Sequence, residues 1–175
     1  MKPWQHGYSL DLLKEYAEPF KVRYKPYVYG AFGLPKERDI AAAMKGDNVA
    51  WLKPKEGEEK VRTVALASTL RTAGSHADFT GRKITLPAGS ILIRHLASLD
   101  GREEEVRLVE AIRRKAIGDH LKATDRIPPL FIELHEEDSE LCAMLEGRGA
   151  RYIATKITAG STIRGLYLLN DAEWE

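Results

Sequence analysis

The chain has little cysteine, no long apolar run and almost no net charge, and the first two shortages each exclude a class of protein. Cys142 is the one cysteine, so no disulfide can form within the chain and a cysteine-rich metal site is excluded. No apolar stretch approaches the roughly 20 residues that a membrane-spanning helix needs. The 27 basic and 26 acidic residues give a formal charge of +1, which neither demands nor excludes a nucleic-acid partner.

The first residues of the chain also lack an apolar run. Residues 1–7 therefore do not have the pattern of a secretory signal. Repeats, low-complexity tracts and linkers are absent as well, and 175 residues are enough to bury one core. We therefore expect a single domain, residues 1–175, in a cytoplasmic protein without a membrane partner.

The first third of the chain predicts two helices. Ser9 is a suitable N-cap for a helix that Pro19 should stop. Residues 20–33 mix aromatic and basic side chains with glycines, so we expect an extended, irregular segment there. A second helix should begin at Pro35, because proline is favoured in a first turn, and end at Gly46.

A hairpin and a polar loop are predicted next. Residues 48–53 and 60–70 have the composition of two strands, joined by a turn at 54–59. Residues 71–83 are polar and contain glycines, which is typical of a loop. Residues 84–86 should form a short strand.

The second half of the chain has a clearer pattern. Its predicted elements are strand 90–98, helix 103–117, strand 130–135, a helix capped by Asp138 or Ser139 that ends at Gly147, and strands 152–157 and 163–169 around a turn at Gly160. Leu141, Cys142 and Leu145 share one face of the later helix, so Cys142 is expected to be a packed thiol. Because helix 103–117 is a crossover, strands 90–98 and 130–135 should be parallel neighbours. The elements together predict an α/β (α+β) fold, a mixed sheet with helices on its faces.

The order of elements from residue 90 to residue 169 resembles the GNAT (GCN5-related N-acetyltransferase) fold. Residues 91–98 correspond to the family's central strand, 99–103 to its pyrophosphate-binding turn, and 130–135 to the strand that splays away from the central one. The resemblance implies a three-layer fold whose mostly antiparallel sheet is splayed at a central parallel strand pair. It also implies an acyl-CoA-dependent N-acyltransferase acting on an amine acceptor, small or macromolecular.

The resemblance further implies where acetyl-CoA, or another acyl-CoA, would bind. The corresponding residues of the central strand and its following turn are Leu96, Ala97, Ser98, Gly101, Arg102 and Glu103. The turn departs from the family's pattern, because it has one glycine and is followed by the acidic run Glu103, Glu104 and Glu105. This negative charge predicts weaker cofactor binding than is usual in the family. The family's general-acid tyrosine corresponds to Leu145, which cannot donate a proton.

Three side chains are candidates for catalysis: His95, Glu133 and Asp78. His95 lies in the middle of the central strand, where a base with a pKa near ~6.5 suits an amine; the alternative is a histidine bonded within a packed sheet. Glu133 shares a strand face with His135, and is either a second base or a polar residue at a sheet edge. Asp78 follows His76 in a polar stretch that is either a substrate loop or an ordinary solvated loop.

Anion binding is suggested by the sequence, whereas metal binding is not. The side chains that a fold could bring together around a metal have no ligand spacing: His76, Asp78, His95 and His135. Arg71, Arg82 and Lys83 lie around the polar loop and can take an anion. Arg94 points to the face opposite His95, and it needs an anionic partner, either a carboxylate of the chain or a ligand.

Two further functions stay open. The aromatic and basic run at residues 20–29 can stack bases and pair phosphates, or its aromatics can simply pack a sheet edge. The first alternative suggests a nucleic-acid modifier similar to the phage Mom-type DNA-modification proteins, which are GNAT-like. The acidic turn and Leu145 favour instead a non-catalytic binding module on a GNAT scaffold. Acetyl-CoA affinity tests the module, and salt-dependent DNA binding tests the modifier.

Overall fold

The computed structural model describes residues 10–28, 33–46, 48–54, 56–123, 127–157 and 162–170. The helices are α1 (Leu10–Tyr24), a 3-10 turn (Lys25–Tyr27), α2 (Glu37–Lys45), α3 (Arg102–Ala123) and α4 (Ser139–Glu146). The strands are β1 (Val49–Trp51), β2 (Thr63–Thr69), β3 (Gly74–Ala77), β4 (Lys83–Leu86), β5 (Ile91–Ser98), β6 (Leu130–His135), β7 (Arg151–Ile157) and β8 (Ile163–Leu168). Within these ranges, no helix combines the length and apolarity that crossing a membrane requires.

Six of the strands form one mixed sheet in the order β1-β2-β5-β6-β8-β7. Adjacent strands of this sheet pair antiparallel, except for β5 and β6, which are parallel and are joined by the crossover helix α3. Strands β3 and β4 form a separate antiparallel hairpin. The predicted fold class is therefore confirmed, including the mostly antiparallel sheet with a central parallel strand pair.

Helices cover both faces of the sheet. Helices α3 and α4 pack on one face, where Ile93 of β5, Leu108 of α3 and Leu145 of α4 belong to the same buried cluster. Helices α1 and α2 pack on the other face over β1 and β2. The β3–β4 hairpin covers the rest of that second face, over β6, β7 and β8. The space between α1, α2 and the hairpin is thus where the sheet is least covered.

The first helix is longer than its sequence predicts. Pro19 lies inside α1, which continues to Tyr24 and is followed by the 3-10 turn Lys25–Tyr27. The extended segment predicted to begin at residue 20 is therefore wrong for residues 20–27. Tyr16, Phe20 and Tyr24 follow one another at intervals of four residues and are all buried. Burial of three aromatic rings outweighs the one backbone hydrogen bond that proline removes. Residues 29–32 and the expected cap Ser9 lie outside the described residues.

The stretch 71–83 is not one loop. Residues 74–77 form β3, because they pair with β4: Gly74 lies opposite Leu86 and Ala77 lies opposite Lys83. His76 is buried within this hairpin, so the polar composition of the stretch concealed a strand. The expected turn at Gly160 lies outside the described residues.

The start of α4 agrees with its sequence. The Asp138 carboxylate accepts the backbone N–H of Leu141 at 3.2 Å and is the N-cap. Leu141, Cys142 and Leu145 are buried, as their shared face predicts.

Candidate functional site

The parallel ladder between β5 and β6 is short. It begins with Ile91 beside Leu130 and ends with Ile93 beside Ile132. Both strands continue beyond this point, β5 to Ser98 and β6 to His135, so the sheet opens into a cleft between their carboxyl ends. A cleft of this kind leaves backbone N–H and C=O groups without ladder partners, and each of them needs another partner.

A β-bulge lies where the cleft begins. On β2, Leu66 pairs with His95 and the next residue pairs with Ile93, so Arg94 is an extra residue in β5. The extra residue shifts the alternation of side chains along β5. Leu96 therefore packs with Ile93 on the α3 face, although the two are three positions apart, an odd number that regular alternation would place on opposite faces.

The bulge turns His95 toward α1. Its ring centroid lies 5.9 Å from that of Phe20 and 5.7 Å from that of Tyr24. The Tyr24 hydroxyl accepts the Leu96 N–H at 3.1 Å and lies 3.1 Å from His95 Nδ1. A hydroxyl can donate one hydrogen bond and accept two, so the tautomer of the His95 ring sets which of the two groups donates.

Both members of this pair are held neutral. Burial is the main reason that the pKa of His95 lies well below its ordinary value, and the cations of Arg164 and Arg94 lower it further. Burial also raises the pKa of Tyr24. His95 is thus a neutral imidazole at physiological pH.

Arg164 fills the opening of the cleft from β8. Its guanidinium donates to the backbone carbonyl of Arg94, at the bulge, and to that of Glu133 at 3.0 Å. Arg164 is 4 % exposed and lies 5.8 Å from the centre of the Tyr24 ring. One arginine therefore links the two strands where their ladder has ended.

A buried ion cluster lies at the far end of the cleft. Glu105 of α3 is completely buried; it accepts the Ser98 N–H at 3.1 Å and forms an ion pair with Arg23 at 2.6 Å. Asp138 accepts from Arg23 and from Arg102, at 2.8 Å each. Burial raises the pKa of Glu105 by more than Arg23 lowers it. Burial lowers the pKa of Arg23, but Glu105 and Asp138 outweigh this effect and raise it.

Little space is left inside the cleft. The remaining cavity has a volume of about 10 Å³, close to the minimum for a single water. Residues that line it include Arg23, Tyr24, Tyr27, Glu133, His135 and Arg164. Neither ring nitrogen of His135 has a hydrogen-bond partner among the described residues, and burial, followed by Arg164, lowers its pKa to about 3.

Of the predicted cofactor-binding residues, Leu96 lines this closed cleft, and the others follow it along β5 and into α3. The backbone N–H groups of Leu96 and Ser98 are bonded to Tyr24 and Glu105. Ala97 is buried under α1, and Gly101 has a positive φ of 99°. Arg102 is held by Asp138 and by Glu140 at 3.1 Å, whereas Glu103 is exposed. The Leu96 and Ser98 N–H groups are thus already bonded within the chain, and the cavity of about 10 Å³ has no room for an acyl group.

The predicted catalytic residues do not form one group. Glu133 lies beside the cleft, where its carboxylate is 2.9 Å from Lys156 Nζ and 3.9 Å from Nε2 of His76. Asp78 lies in the turn of the β3–β4 hairpin and accepts the Thr80 N–H at 2.7 Å, so it organises its own turn. Over the part of the chain that the structure describes, no three His, Cys, Asp or Glu side chains could hold a metal ion.

A second, open pocket lies on the other side of His95. It has a volume of about 410 Å³ between α2 and strands β2 and β5. Its lining consists of Asp39, Ala42, Ala43, Asn48, Leu66, Ala67, Ser68, Arg94 and His95. His95 thus contacts Tyr24 of the closed cleft on one side and lines a pocket that is open to solvent on the other.

Four residues close the cleft although the sequence did not predict this role for them: Arg23, Tyr24, Glu105 and Arg164. Tyr24 and Arg23 had a signal, since they extend the apolar and polar faces of α1, but Pro19 concealed it. Arg164 had none, because its partners lie 31 and 70 residues away in sequence.

Comparison with solved structures identifies the fold. An acetyltransferase of the GNAT family from Streptococcus agalactiae is similar with a TM-score of 0.58 and 16% identity, over 94% of this chain and 88% of that one. Arabidopsis thaliana NAA60 is similar in its complex with acetyl-CoA (TM-score 0.57, 9% identity) and with a bisubstrate analogue (TM-score 0.56, 10% identity). Each NAA60 match covers 93% of this chain and 95% of that one. No family model matches the chain, and neither does any curated protein sequence. The chain therefore has the fold of the GNAT acetyltransferases.

Proposed function

We propose that the protein is an acyl-CoA-dependent N-acyltransferase that acts on an amine. The observation that carries the proposal is the parallel strand pair that separates at a bulge, with His95 at the point of separation. NAA60, which has the same arrangement of elements over most of its length, was crystallised with acetyl-CoA. Acyl-CoA supplies an activated thioester, so the chain itself has to hold two partners and remove a proton.

The residues of the cleft suit these tasks. The N–H groups of Leu96 and Ser98 would hold the cofactor, since backbone donors that lack ladder partners are suited to binding oxygen atoms. His95 would accept the proton of the amine, because its imidazole is neutral and stands beside the open pocket. Tyr24 blocks cofactor binding, since its hydroxyl occupies the Leu96 N–H. A displacement of Tyr24 would therefore free this donor, whereas the side of His95 that lines the open pocket is accessible already.

Turnover of a His95→Ala variant tests the proposal. Loss of one general base lowers rates by about 10²–10⁴-fold, so CoA release from acetyl-CoA in the presence of an amine should fall by that order. Because the pKa of His95 is depressed, the wild-type rate should not decline near pH ~6.5, the ordinary value for histidine, but only at more acidic pH. Normal turnover in a folded His95→Ala protein would move the role of base to Glu133.

A non-catalytic module is the second candidate, and one observation favours it. Side chains of the chain itself already satisfy the Leu96 and Ser98 N–H groups, as they would in a scaffold that has no cofactor. Calorimetric titration of acetyl-CoA separates the two candidates, because the module should give no binding. Phe20 and Tyr24 are buried in the core, so neither is available to stack a base of DNA.

A further inference from the structure

The open pocket beside His95 has walls of opposite charge. Arg94 contributes a cation from β5, and Asp39 contributes an anion from α2 on the facing side. Between them the lining is mostly apolar, from Ala42, Ala43 and Leu66. A pocket of about 410 Å³ lies within the usual range of roughly 300–1,000 Å³ for small-molecule sites.

The bulge directs Arg94 into this pocket. The Arg94 carbonyl is fixed by Arg164 on the side of the cleft, while its side chain is exposed and lines the pocket. No carboxylate of the described residues is within ion-pair distance of its guanidinium. Bulges commonly re-aim a side chain next to an active site. An arginine held at the centre of a sheet without a carboxylate partner is suited to an anionic group that arrives from solution.

Asp39 is similarly available. Its carboxylate accepts only the weak backbone bond from Lys36 at 3.3 Å and lies 4.0 Å from the exposed Arg38. A ligand with a positive and a negative end can therefore satisfy both walls, whereas an uncharged ligand leaves both charges without a partner.

We propose that this pocket binds a small amphoteric acceptor, an amine that also carries a carboxylate or phosphate group. The anionic group pairs with Arg94, and the amine lies between Asp39 and His95. The assignment of this amine as the acylated group rests on the proposed function, but the binding itself does not. A carboxylate and a phosphate offer the same oxygen acceptors to a guanidinium, so the chemistry is shared.

Nitrogen-15 NMR titration without acyl-CoA tests the proposal with four probes. These are 4-aminobutyrate, its amine-only and acid-only analogues butylamine and butyrate, and O-phosphoethanolamine. We expect 4-aminobutyrate or O-phosphoethanolamine to bind about 10- to 100-fold more tightly than butylamine, because a hydrogen-bonded charge is added. The tighter of these two amphoteric probes identifies the anionic group. Equal binding of butylamine and both amphoteric probes, or no shifts with any probe, would overturn the proposal.

Variants of Arg94 locate the anion. In Arg94→Gln the amphoteric probes should no longer bind more tightly than butylamine. In Arg94→Lys part of this difference in affinity should return, since lysine keeps the positive charge but not the two parallel N–H donors of a guanidinium. Arg114→Gln is the matched control, because Arg114 is also exposed but lies on α3. An unchanged preference in a folded Arg94→Gln protein refutes the site. Because no acyl-CoA is present, failure here leaves acyl transfer untouched, and failure of acyl transfer leaves this result standing.

Discussion

The buried ion cluster predicts an unusually large effect for one substitution, Arg23→Ala. Arg23 makes three hydrogen bonds of 2.6 to 3.1 Å to the Glu105 carboxylate, which also accepts the Ser98 N–H. Removing one partner of a buried pair typically costs about 3–5 kcal/mol, because the remaining charge is left uncompensated. The Arg23 side chain is 17% exposed, so water can reach the vacated space, and we expect the lower end, about 3 kcal/mol.

Thermal unfolding measures this effect directly. For a chain of this length 1 kcal/mol corresponds to a shift of about 2–4 °C in Tm, so Arg23→Ala should lower Tm by about 6–12 °C. Arg107→Ala is the control: Arg107 pairs with Glu104 at 3.0 Å, but its side chain is 64% exposed. Such a surface pair contributes about 0.5 kcal/mol or less, and Tm should fall by no more than about 2 °C.

The pH dependence gives the result that would refute this reasoning. Burial already raises the pKa of Glu105 in the folded protein above its value in the unfolded chain. The negative charge of Glu105 therefore lowers the stability of the fold at pH values above the folded pKa, and has no such effect at pH values below the unfolded pKa. Without Arg23 the pKa of Glu105 rises further. The Arg23→Ala deficit should therefore be greatest near about pH 8 and shrink toward about pH 5, as the carboxyl takes a proton. A deficit that is independent of pH, or equal to that of Arg107→Ala, would show that the cluster is not a compensated buried charge.

Two other predictions follow from the cleft and the core. Tyr24→Phe removes the hydroxyl that occupies the Leu96 N–H, so calorimetric titration should show tighter binding of acetyl-CoA. The same variant should lose about 1–3 kcal/mol of stability, because the Leu96 amide is left unpaired. Weaker acetyl-CoA binding would contradict the blocking role. Cys142→Asp places a charge on the buried face of α4 and should cost at least about 3 kcal/mol in denaturant unfolding, whereas an unchanged midpoint would remove that face from the core.

The arrangement of the second half of the chain was predictable because local signals agree there. Strand β6 has the predicted bounds, Leu130–His135, and the crossover helix between two apolar strands required them to be parallel. Asp138 and Ser139 were the two candidate caps, from their position before an apolar helix face, and Asp138 is the N-cap. The strand bounds and the cap depend on residues that are close together in sequence, and the parallel pairing follows from the order of the elements.

The details of the site were not predictable, because they depend on distant residues. A single extra residue at Arg94 leaves no trace in composition, although it decides which face His95 occupies. The glutamates after the turn were expected to repel phosphate together. Instead Glu103 is exposed, Glu104 pairs with Arg107, and Glu105 is neutralised by Arg23, 82 residues earlier. A charge count along the sequence cannot separate these three environments.

The bulge in β5 also separates the open pocket from the packing of the strand. Arg94 is the extra residue, so deleting it would leave Ile93, His95 and Leu96 in regular alternation with a period of two. Leu96 would still pack toward α3 and Ala97 toward α1, while the arginine that lines the open pocket would be lost. The strand can therefore gain or lose this cation without any change in the faces that its other side chains occupy.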